Sequence, residues 1–103
     1  MMSKRQKQLQ RIRNNPTNVP FGDLRQALEM HGFELDHATG SHHIFRQVIG
    51  DLVLRVNIPY ARPVKSRYVK QALEAIKQAE QARVQQGQVI EDEEEKDDDD
   101  DTD

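Results

Sequence analysis

Leu52-Val53-Leu54-Arg55-Val56-Asn57-Ile58 decides the fold. Leu52, Leu54, Val56 and Ile58 share one face at period two, while Arg55 and Asn57 face the other way. Such alternation marks a strand with one side on a core and the other in water. Upstream, Ile49-Gly50-Asp51 is a hairpin turn containing glycine, so Ser41 to Val48 is the preceding strand. Ala38-Thr39-Gly40 turns the chain once more, after a first strand from Phe33 to His37. Turns this short join antiparallel neighbours, so the three strands form a meander.

Helices flank the sheet. Phe21, Leu24, Ala27 and Leu28 recur at helical spacing, and Asp23 suits the positive end of the helix dipole. His31-Gly32 ends that helix, with Gly32 at the position that needs a left-handed residue and His31 as a cation favoured by the helix C-terminus. After Pro59 and a loop through Arg62-Pro63, Val69, Ala72, Leu73, Ile76 and Ala79 form the apolar stripe of a last helix from about Val64 to Gln85. Ser3 and Gln6 have capping-box spacing and open a first helix that runs to about Asn14. Its apolar content is thin, chiefly Leu9 and Ile12, which places it on the surface or leaves it partly mobile. The expected class is α+β, in the order α-α-β-β-β-α, with the helices on one face of the sheet. Three parts result: an N-terminal helix and connector over 1–19, a domain over 20–85 and a tail over 86–103.

Charge divides the chain sharply. Residues 91–103 carry eleven acidic side chains and one lysine, a charge of −10, while residues 1–90 carry fourteen Lys or Arg against seven acidic groups, a charge of +7. The acidic block is expected to be disordered and to compete transiently with polyanions for the basic body. A basic body suggests a polyanionic partner; the alternative is a solvated surface rich in lysine. The chain has no cysteine, which excludes disulfides and thiolate metal sites. No apolar run approaches the roughly 20 residues of a membrane span. With no leader-like segment either, the expected location is cytoplasmic, with no membrane partner.

Chemistry concentrates in Gly40-Ser41-His42-His43-Ile44-Phe45. Glycine permits a tight turn and close approach of a ligand. A histidine just after it stands on a rigid strand beside an open loop, where an imidazole serves as general acid or base near neutral pH. Neighbouring strand residues point to opposite faces, which argues against a metal shared by His42 and His43 and leaves one free to be chemical and the other structural; the alternative is an ordinary turn. No metal or other cofactor is expected. Lys65, Ser66, Arg67 and Lys70 form a second feature, at the start of the last helix. Cations there oppose the helix dipole, and a bound phosphate would reconcile them. Arg46 and Arg55 are further candidate contacts. Three functions fit these residues: an endoribonuclease, a non-catalytic RNA-binding module, and a domain that binds an acidic protein.

Leu24 to Phe45, an amphipathic helix ending in glycine, an aromatic-containing strand and then Gly-Ser-His-His-Ile-Phe, resembles the HicA mRNA-interferase toxins. The likeness continues through Ile58-Pro59 into the basic loop and last helix, covering about residues 21–77. It implies a fold like a double-stranded-RNA-binding domain, metal-independent cleavage of mRNA as one half of a toxin–antitoxin system, and neutralisation by a HicB-like antitoxin. It implies a catalytic role for His42, with His43 in reserve. RNA contacts are expected from Gly40, Ser41 and His43 in that segment and, on the charge at the start of the last helix, from Lys65, Arg67 and Lys70. The chain differs from the family in Pro59-Tyr60-Ala61-Arg62-Pro63 after the third strand, and in Val64-Lys65-Ser66-Arg67 at the last helix. The N-terminal helix and the acidic tail are additional.

Overall fold

The structure, a computed structural model, describes residues 2–87. The acidic block at 91–103 and its expected disorder lie outside the described residues. Three helices and one sheet follow in the order α1 (Lys4–Asn14), α2 (Phe21–Met30), β1 (Glu34–Thr39), β2 (His42–Ile49), β3 (Leu52–Pro59) and α3 (Ser66–Gln85). The sheet is antiparallel in the order β1-β2-β3, so β2 is central.

Both hairpins close with two residues, because Thr39 pairs with His42 and Ile49 with Leu52. Gly40 (φ 59°) and Gly50 (φ 60°) supply the positive dihedral that such tight turns demand. The first turn is therefore Gly40-Ser41, and Ala38 and Thr39 belong to β1 rather than to a turn. Phe33 precedes β1 and is buried in the core.

Alternation along β2 and β3 sets the two faces of the sheet. His43, Phe45, Gln47 and Ile49 pair with Ile58, Val56, Leu54 and Leu52 on the helix side. His42, Ile44, Arg46 and Val48 pair with Pro59, Asn57, Arg55 and Val53 on the other side, where Val48 and Val53 are 51% and 46% exposed. α3 packs chiefly on β3 and also on β2, and touches both other helices. Leu52 departs from the expected burial: it is 40% exposed. It begins the edge strand β3, next to the Gly50-Asp51 turn.

α1 joins the core instead of lying outside it. Leu9 and Ile12 are buried in the same cluster as Leu24, Phe45 and Ile76. Gln8 Nε2 donates to Gln26 Oε1 at 3.0 Å, tying α1 to α2. Ser3 and Gln6 make the capping box, with Gln6 N donating to Ser3 Oγ at 3.2 Å and Ser3 N to Gln6 Oε1 at 3.1 Å. α3 starts at Ser66, two residues later than its apolar pattern suggests, because Val64 is extended and bridges Val19.

Gly32 (φ 94°) ends α2 as expected, with Phe33 N donating to Leu28 O at 3.0 Å and Gly32 N to Glu29 O at 3.1 Å. A Cβ on Gly32 would meet Gln47 Oε1 at 2.5 Å and the Arg83 guanidinium at 2.6 Å. His31 is not the exposed cation expected there. It is buried, its Nδ1–H donates to Ala27 O at 2.8 Å, and its own carbonyl accepts from Gln47 Nε2 at 3.1 Å and from Arg83. Desolvation pushes its pKa below the ordinary histidine value; the Ala27 hydrogen bond and Glu80 oppose this, while Arg5 and Arg83 reinforce it. The unfolded chain therefore takes up a proton near pH 6.5 that the folded chain resists, and stability falls as pH drops below that point. The melting temperature is expected to fall by several degrees from pH 7.5 to 5.5, and His31→Gln should remove most of that fall. An equal fall in the variant would place the acid sensitivity elsewhere.

Candidate functional site

The Gly40-Ser41 turn projects two histidines from the start of β2 to opposite sides. His42 is exposed on the open face, and its Nδ1 lies 3.3 Å from Asn57 Oδ1. An amide oxygen only accepts, so Nδ1–H is the donor and Nε2 lies on the far side of the ring from that contact. Arg46 and Arg55 stand directly opposite each other farther along the same face, with Glu34 beside Arg46 on β1. Two like charges across a strand pair repel, and an anion lying over them would relieve that repulsion. From His42 to Arg46 the strand advances about 13 Å.

His43 faces the helices. Its Nδ1–H donates to Ser41 O at 2.9 Å, and its ring lies 4.8 Å from that of Phe21. Phe21 also meets Tyr60 at 5.2 Å. Arg62 Nε donates to the Tyr60 hydroxyl at 2.7 Å, a bond that raises the Arg62 pKa above its ordinary value. Tyr60 N donates to Ser41 O at 2.6 Å, which ties the turn to the segment after β3. Asn18, Pro20, Phe21, Tyr60, Arg62 and Pro63 border a shallow cavity of about 410 Å³.

The expected site residues thus fall into two groups. Gly40, Ser41, His42 and His43 are contiguous, with the two rings on opposite faces. Lys65, Arg67 and Lys70 are exposed at the start of α3, one residue and more beyond the Val19–Val64 bridge. Arg67 lies over the Tyr68 ring at 5.0 Å. Lys65 is the N-cap residue, and no side chain caps this helix end. Among the described residues, no hydrogen bond or ion pair joins this group to His42. Asn57, Phe21 and Tyr60 are site neighbours that sequence patterning missed. Asn57 was readable as outward-facing, but its approach to His42 depends on the strand register.

Among the described residues, no group of three or more His, Cys, Asp or Glu side chains is gathered around a point that could hold a metal ion. Also among the described residues, no helix is long and apolar enough to cross a membrane. Comparison with protein-family models, with curated proteins and with solved structures finds no match.

Proposed function

We propose that this chain is a metal-independent endoribonuclease of the HicA type, an mRNA interferase acting in the cytoplasm on a scaffold like a double-stranded-RNA-binding domain. Its partners are RNA and a HicB-like antitoxin protein. The observation that carries this reading is His42: exposed just after a tight glycine turn, with Nδ1 directed to Asn57 and Nε2 free on a face that also bears Arg46 and Arg55.

A neutral Nε2 takes the proton of a ribose 2′-hydroxyl as that oxygen attacks the adjacent phosphorus. The 2′-O–P bond forms, the P–5′-O bond breaks, and the leaving 5′-oxygen gains a proton. One product ends in a 2′,3′-cyclic phosphate and the other in a 5′-hydroxyl. Arg46 and Arg55 offset charge on the phosphates of the same strand. A Cβ on Gly40 would meet nothing within 4 Å, so space lies open beside the reacting group.

The 3.3 Å His42–Asn57 contact is a long hydrogen bond. It favours, as a second reading, an RNA-binding module of the same fold without turnover. Incubation of the purified chain with single-stranded and hairpin RNA in excess EDTA separates the two. Cleavage, together with growth arrest when the chain is produced without an antitoxin, is expected. Binding without cleavage would establish the second reading, and no affinity for RNA would overturn both in favour of a protein-binding role.

Lys65, Arg67 and Lys70 hold phosphates rather than bases in this account. Changing all three to alanine is expected to weaken binding about equally across RNA sequences. The salt dependence of log K should become shallower by roughly 0.7–0.9 per lost contact. An unchanged slope would place the phosphates elsewhere.

A further inference from the structure

A second histidine shares the open face with His42. Thr39 pairs with His42 and His37 with Ile44, so His37 and His42 are diagonal neighbours on one side of the β1–β2 hairpin. Diagonal positions of this kind lie roughly 7–8 Å apart at the backbone. That spacing leaves room for a phosphodiester between two imidazoles. His37 is exposed, and its Nδ1–H donates to Asp36 Oδ2 at 3.1 Å. The carboxylate thereby engages Nδ1 and leaves Nε2 on the far side of the ring, as Asn57 does for His42. The register of β1 shifts between Leu35 and His37. Such a bulge bends a strand and re-aims the side chain beside it.

We propose that His37 is the general acid of the RNA cleavage in which His42 is the base. The inference rests on the endoribonuclease reading. A ribose transesterification needs two proton transfers, one from the attacking 2′-oxygen and one to the leaving 5′-oxygen. His42 Nε2 accepts the first. His37, protonated, donates its Nε2–H to the 5′-oxygen as the P–5′-O bond breaks. His42 ends protonated and His37 neutral, and exchange with water restores both. Among the described residues, the charged and titratable groups that adjoin His37 or share its face of the sheet are Asp36 and Glu34 on β1, His42 and Arg46 on β2, and Arg55 on β3. Asp36 holds the donor ring, and the arginines lie where the phosphates of a bound strand would run.

The test compares leaving groups. Wild type, His37→Ala and His42→Ala act on a diribonucleoside phosphate and on a ribonucleoside 3′-(p-nitrophenyl phosphate), whose leaving phenolate needs no proton. His37→Ala is expected to lose about 10²-fold or more on the dinucleotide and less than about 10-fold on the aryl ester, since only the first departure requires an acid. His42→Ala should lose both activities, and both variants should keep the wild-type circular dichroism. Equal losses for His37→Ala on the two substrates would make it a binding or structural residue, and undiminished dinucleotide cleavage would remove it from the reaction; either result overturns the proposal while leaving His42 in place. A wild type that cleaves neither substrate overturns this proposal and the endoribonuclease reading together.

Discussion

Replacing His42 with alanine is expected to slow RNA cleavage by about 10²–10⁴-fold, or roughly 3–5 kcal/mol of barrier. The loss should appear with little change in stability. His42 is exposed, and its side chain meets Asn57 through a long bond. Surface changes of this kind fall within about 0.5 kcal/mol of neutral. His43→Ala is the informative control. That ring is half-buried against Phe21, so its removal should lower the melting temperature more than it lowers the cleavage rate. Single-turnover cleavage rates beside thermal melts of both variants make the comparison. Loss of cleavage in His43→Ala with full activity in His42→Ala would move the chemistry to the face that carries Phe21 and Tyr60.

Phe45→Ala is expected to cost about 3–5 kcal/mol, a large part of the roughly 5–15 kcal/mol that holds a small domain folded. Phe45 is fully buried on the central strand, paired with Leu35 on one side and Val56 on the other. Its inward position also fixes which side its neighbours face. A one-residue slip of β2 would exchange the two faces, turning His42 into the core and His43 onto the open sheet. Urea unfolding measures the cost as a lower midpoint at an unchanged slope. Val48→Ala, on the exposed face of the same strand, should change the midpoint little. Similar effects from the two substitutions would contradict the division of the sheet into a core face and an open face.

Patterning alone reveals the elements whose signals are local. Alternating Leu54, Val56 and Ile58 identify β3, and Gly32 after an amphipathic helix identifies the end of α2. Features that depend on contacts distant in sequence stay hidden. His31 looks like an exposed cap residue until Gln47 and Arg83, 16 and 52 residues away, close over its carbonyl. Leu9 and Ile12 are too sparse to announce a core helix, and their burial depends on the surfaces of α2 and α3. Periodicity gives the parity of Leu52 but not how far the helices extend over the sheet corner. The Gly-Ser-His-His segment draws attention to the site from the sequence. Its partners Asn57 and His37 do not stand out, because a turn placed at Ala38-Thr39-Gly40 leaves Thr39 outside the strand and hides the diagonal. The two-residue turns of the structure bring the three side chains to one face.

The central claim is that His42 drives attack by a ribose 2′-hydroxyl, and the chemistry of the product ends tests it most directly. End-group analysis of RNA cut in excess EDTA is predicted to find a 2′,3′-cyclic phosphate, or the 3′-phosphate formed when it hydrolyses, opposite a 5′-hydroxyl. A 2′-deoxy substitution at the cleaved nucleotide should block that cut. Products bearing a 5′-phosphate and a 3′-hydroxyl, or undiminished cutting at the 2′-deoxy position, would contradict the account.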